Sequence, residues 1–171
     1  MKQQTKNNKI KWKYLSKEKV KFISYEFVFK DGKRKIKRIR FNNNPKKLQG
    51  GCGGPQGIKI DNLFFKFKTD DEKNALLWHE LYHCRFTFIL KQLGLEIKYC
   101  LGDKQSFWEE EYNADRYSAL QNNIIDCLTC LGTIKEIYEE NSSLYNSKTH
   151  PPIEERIKKI EALKNKDETT K

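Results

Sequence analysis

NALLWHELYHCRFTFILKQLG, from Asn74 to Gly94, reads as one helix, and the rest of the chain is organised around it. Within it HELYH runs from His79 to His83. Positions four apart share a helix face, so the two imidazoles stand side by side about one turn apart. Neutral imidazole is a good zinc ligand, and two from one rigid element arrive pre-positioned. Glu80 follows the first histidine and can point at a water on the same metal. Zinc lowers the pKa of such a water to about 7, and a carboxylate can then take its proton. This is the metalloprotease reading of H-E-x-x-H. The competing reading is a buried helix that happens to carry two histidines. The histidine count favours the metal: the chain has three, and two are here.

A length of 171 residues suits a single domain, 1–171, with its own core. No run of about 18 apolar residues exists, so no membrane span is expected. The basic N-terminus is followed by no apolar segment of the signal-peptide kind, which points to a cytoplasmic protein. The five cysteines, Cys52, Cys84, Cys100, Cys127 and Cys130, are then expected as thiols. Cys127 and Cys130 make a C-x-x-C with no second pair to complete a zinc ribbon, and at helical spacing they suit a core.

The net charge of +11 is concentrated at one end. Residues 1–49 hold 17 Lys or Arg against 3 acidic residues, and the remainder 17 against 20. The basic part is either a surface for nucleic acid, an acidic protein or anionic lipid, or a solvated strand face. ISYEFVFK and KIKRIRF flank Asp31-Gly32, a strong hairpin signal. Residues 50–57, rich in glycine, read as a loop, with no phosphate-binding pattern. IKIDNLFFKFK, residues 58–68, reads as strand with a bend at Asp61-Asn62. Thr69 or Asp70 then caps the metal helix. Downstream, Ser106 is a candidate cap for a second helix, SFWEEEYNADRYSALQNN. The next helical stretch contains Gly132 as a candidate break, and IEERIKKIEALK forms a last helix after Pro151-Pro152.

A catalytic zinc needs three protein ligands and an open position. The third is either a carboxylate from EEEYNAD or the remaining histidine, His150. Glu111 is attractive because Asp115, one turn on, is placed to hydrogen-bond a ligand imidazole and fix its orientation.

HELYH, then EYNAD followed by RYSA, then THPPIEERIKKI, together resemble the gluzincin metallopeptidases of the HtpX and CAAX-prenyl endopeptidase family. The resemblance covers roughly residues 69–164, with three motifs in the family's order; residues 1–57 match none of it. It implies zinc on His79, His83 and Glu111, Glu80 as general base, and a supporting role for Asp115. It also implies that His150 lies near the cleft as a donor to the oxyanion. A strand beside the metal helix would receive the substrate backbone, and IKIDNLFFKFK is the candidate by position.

The expected fold is α+β: a small N-terminal antiparallel sheet, then a mainly helical zincin-like metallopeptidase core over 58–164. The expected activity is zinc-dependent hydrolysis of a protein or peptide substrate. The alternatives are a nucleic-acid-associated protease or binding protein that uses the basic N-terminus, and an inactive zincin-like interaction module.

Overall fold

The computed structural model describes residues 22–41, 51–54, 57–84 and 104–169. The first hairpin is as expected. β1 (Phe22–Val28) and β2 (Arg34–Phe41) pair antiparallel, from Phe22 opposite Arg40 to Val28 opposite Arg34. At the turn Gly32 takes φ +83, and the Asp31 carboxylate accepts from the Lys33 amide at 3.0 Å.

β3 (Gly51–Gly54) and β4 (Gly57–Ile60) form a second antiparallel pair. Part of the segment read as a glycine-rich loop, 50–57, is therefore strand. β4 lies parallel to β2, with Ile39 opposite Ile58, so the sheet has the order β1-β2-β4-β3 and is mixed, not wholly antiparallel. Glycine is required at Gly57, where φ is +99 and a Cβ would stand 2.8 Å from the Arg38 carbonyl oxygen.

The stretch 58–68 is not one strand. It leaves the sheet after Ile60, where the Asp61 carboxylate accepts from the Leu63 amide at 2.8 Å and starts a 3₁₀ turn, Asn62–Lys66. A short acidic side chain offers the backbone a local acceptor that competes with the ladder. β4 also has a strand on each side, so IKIDNLFFKFK presents no open edge to a substrate. The edge strand that runs along the helix of His79 and His83 is β3.

That helix, α1 (Asp70–His83), is capped by Thr69, whose hydroxyl accepts from the Glu72 amide at 3.1 Å. It ends at His83 with Cys84 as its cap, short of Gly94; residues 85–103, with Phe88, Gly94 and Cys100, lie outside the described residues. α1 is buried on most sides because the sheet covers one side and two helices the other. These are α2 (Gln105–Gln121) and α3 (Ile124–Glu140). α2 starts at Gln105 without a side-chain cap, so Ser106 is not its N-cap. Asn123 caps α3, accepting from the Ile125 amide at 2.8 Å, and α3 runs unbroken through Gly132. The expected break there is absent because one glycine costs a helix only about 1 kcal/mol. α4 (Ile153–Thr169) completes the described chain.

Two apolar clusters hold these layers together. Phe27, Ile39, Ile58, Ile60 and Phe64 pack on Leu77, Trp78 and Leu81 of α1. Ala119, Cys127, Leu131, Ile153 and Ile160 join α2, α3 and α4. Cys127 and Cys130 are buried, as their helical spacing predicts. No described helix is long and apolar enough to cross a membrane.

Candidate metal centre

α1 sends Trp78 toward the hairpin and His79 and His83 toward α2. Trp78 meets Phe27 and Phe29 edge-on, with ring centroids 5.0 and 5.1 Å away. The Nε2 atoms of His79 and His83 come together at 3.2 Å. Glu111 of α2 reaches both rings: one oxygen is 3.4 Å from His83 Nε2 and the other 3.5 Å from His79 Nε2. His79, His83 and Glu111 thus form a possible metal-binding triad, with its ligand atoms all within 4.8 Å of one another.

The separation of the two imidazole nitrogens fits a tetrahedral ion. Ligand atoms at about 2.0–2.1 Å from a tetrahedral zinc stand roughly 3.3 Å from each other. The two imidazole nitrogens stand 3.2 Å apart, and Glu111 turns one oxygen to each ring, at 3.4 and 3.5 Å, with one ligand atom from each residue lying within 4.8 Å of the others. A second observation agrees. Glu111 Oε2 is buried and accepts no hydrogen bond, which is uncommon for a buried carboxylate oxygen. Nitrogens of His79, His150 and Arg156 surround it at 3.5, 3.7 and 3.8 Å. An ion at the triad would supply the interaction that this oxygen lacks.

Asp115 holds the first ligand. Its Oδ1 accepts from His79 Nδ1 at 2.8 Å, which leaves Nε2 of that ring for the triad. Burial works against charge on His79, but the hydrogen bond to Asp115 and the nearby carboxylate of Glu111 outweigh it and lift the imidazole to about 10. Burial would raise the Glu111 carboxyl, yet His150, His79 and His83 hold it well below the usual carboxylate range. Two carboxylates facing one buried ring give the site an affinity for positive charge.

Arg156 completes the network. Its Nε and Nη2 donate to the two oxygens of Asp115 at 2.7 Å each. Burial opposes the charge of Asp115, but Arg156 more than offsets it and lowers the carboxyl. Arg156 was not among the residues singled out from sequence. Its signal was there: it stands on the apolar stripe of α4 between Ile153 and Ile160, and is only 4% exposed. A charged side chain on such a stripe needs a buried partner.

The remaining expected residues gather at the same place. Glu80 and His150 line a cleft together with His79, Glu111 and Arg156. Its other wall is apolar: Leu63 and Phe67 from the 3₁₀ segment, Leu76 of α1 and Ile137 of α3. His150 sits in the loop before α4, with Nδ1 2.8 Å from the Thr149 hydroxyl, and burial lowers its pKa. The structure therefore brings together all six residues named from sequence.

Compared with protein-family models, with curated proteins and with solved structures, the chain finds no match.

Proposed function

We propose that the chain is a zinc-dependent metalloendopeptidase of the gluzincin kind, acting on a protein or peptide substrate. The observation that carries this reading is the convergence of His79, His83 and Glu111, whose ligand atoms all lie within 4.8 Å of one another, beside a cleft that also contains Glu80. A zinc ion, if held by His79, His83 and Glu111, would supply Lewis acidity, lowering the pKa of a water and polarising a carbonyl. Glu80 takes a proton from the attacking water as its oxygen bonds to the carbonyl carbon. It then passes that proton to the amine nitrogen as the carbon–nitrogen bond breaks. His150 acts on the other charge. In the tautomer whose Nδ1 accepts from Thr149, Nε2 carries the proton and donates to the developing oxyanion. Asp115 and Arg156 keep the His79 ring in place throughout. The apolar wall of the cleft seats an apolar side chain of the substrate. A cytoplasmic location belongs to the same proposal, in keeping with Cys84, Cys127 and Cys130, which are not joined in disulfides.

The test is hydrolysis of an unfolded protein by the zinc-loaded wild type and Glu80→Gln, with fragments read by mass spectrometry. The wild type should cleave and a chelator should stop it. Glu80→Gln should keep zinc and fold but lose roughly 10²–10⁴-fold in rate, since the ligands remain and the proton acceptor does not. Cleavage by Glu80→Gln at the wild-type rate would rule Glu80 out as the base.

A further inference from the structure

Of the residues gathered at the cleft, His150 alone is carried by a loop. His79, Glu80 and His83 stand on α1, and Glu111 and Asp115 on α2, whereas His150 lies in the connection 141–152 between α3 and α4. Most side chains of that connection are exposed. A side chain on such a loop keeps its aim only where other groups hold it.

Hydrogen bonds fix every polar atom of His150 but one. Its amide donates to the Asn146 carbonyl at 2.9 Å and closes a turn. Its carbonyl accepts from the Tyr145 hydroxyl at 3.2 Å, and Nδ1 lies 2.8 Å from the Thr149 hydroxyl. The remaining atom, Nε2, stands 3.7 Å from Glu111 Oε2, too far for a hydrogen bond. Tyr145 adds a contact outside the turn. Its ring packs on Tyr138 of α3, with centroids 5.4 Å apart, and Tyr138 lines the cleft. Tyr145 and Leu144 are half-buried, and the other side chains from 141 to 148 are exposed. Tyr145 itself is not among the residues that line the cleft. Burial and the carboxylates of Glu154 and Glu155 raise its phenol, which stays protonated, and a donor, through the neutral range.

We propose that Tyr145 is the positioning residue of His150: it ties the His150 carbonyl to α3 through Tyr138 and so keeps Nε2 aimed into the cleft. The inference rests on the peptidase reading, in which Nε2 donates to the developing oxyanion. A donor held beforehand costs no reorganisation at the moment the charge develops. Once the hydroxyl of Tyr145 is gone, the turn is held by its local bonds to Asn146 and Thr149. A displacement of about 1 Å is then enough to cost up to roughly 10²-fold in rate. The loss falls on kcat and not on KM, because the donor is needed only in the transition state.

The experiment compares zinc-loaded wild type, Tyr145→Phe, His150→Ala and the double variant on a peptide spanning a wild-type cleavage site. Tyr145→Phe keeps the ring on Tyr138 and removes only the hydroxyl, so fold and zinc content should not change. Its kcat should fall by roughly 10- to 10²-fold with KM unchanged. In the His150→Ala background the same substitution should cost nothing further, since a residue that acts through another has no effect once that other is gone. Nitrogen NMR of isotope-labelled imidazoles gives a readout that needs no turnover. In the wild type His150 should show the two well-separated nitrogen signals of a single tautomer. In Tyr145→Phe they should move toward each other as the contact with Thr149 loosens. A wild-type kcat in Tyr145→Phe would overturn the proposal. So would an equal loss in the His150→Ala background, which would leave Tyr145 a structural part only. An inactive wild type would instead remove the peptidase reading. The imidazole spectrum then decides the positioning alone: averaged signals in Tyr145→Phe uphold it, and an unchanged tautomer ends it.

Discussion

Arg156 grips Asp115 through two hydrogen bonds of 2.7 Å, one to each carboxylate oxygen. Both side chains are almost wholly buried, and Asp115 spends its Oδ1 a second time on His79. Removing one member of such a pair leaves an uncompensated buried charge, at a cost of about 3–5 kcal/mol. Arg156→Met should therefore lower stability by about that amount in urea unfolding. Arg156→Lys keeps the charge but loses the fork, and should fall between. In the Lys variant zinc affinity should drop roughly 10–100-fold, because the support behind a ligand histidine has loosened. An Arg156→Lys protein with wild-type stability and zinc affinity would show that Asp115 needs no fixed partner.

Trp78 ties the hairpin to α1. It is buried between Phe27 and Phe29 on one side, and Tyr117 of α2 lies 6.0 Å away. Trp78→Ala opens a cavity between sheet and helix and should cost about 3–5 kcal/mol. A loss below about 1 kcal/mol in urea unfolding would mean that the hairpin does not depend on this contact.

Cys127 and Cys130 should be inert in the folded protein. Burial pushes the Cys127 thiol up to about 12 and raises Cys130 well above its usual value. The thiolate is the reactive form, and a raised pKa keeps both groups protonated through the neutral range and beyond. At pH 8, iodoacetamide should leave both unmodified in the native protein and alkylate both in denaturant, as peptide mass spectrometry would read. Rapid native alkylation of Cys127 would contradict the packing described.

The candidate metal centre was legible because short helical spacings set it. His79 and His83 are four apart, as are Glu111 and Asp115, and each pair needs only a helix to share a face. Docking one helix on the other then brings the four side chains together. The sheet was less legible. Ile39 and Ile58 are both buried whichever way their strands run, so alternation does not encode the parallel pairing of β2 with β4. The bend read at Asp61-Asn62 is in place, but Asp61 ends the strand there through a hydrogen bond from the backbone two residues on, and the apolar pattern of 63–68 does not show that a 3₁₀ turn follows. Arg156 was missed because an amphipathic, lysine-rich helix conceals one cation that points inward.

The central claim is that His79, His83 and Glu111 hold zinc, and that His150 does not. The deciding measurement is zinc per chain after loading and exhaustive dialysis, read by elemental mass spectrometry on wild type, Glu111→Ala and His150→Ala. Glu111 stands 3.4 and 3.5 Å from the two imidazoles and its carboxylate completes the triad, whereas His150 approaches Glu111 itself, at 3.7 Å. The account predicts stoichiometric zinc in the wild type and in His150→Ala, and loss of zinc in Glu111→Ala. A wild type that stays metal-free after loading would contradict the account outright. Zinc lost with His150 and kept without Glu111 would contradict its assignment of the third ligand.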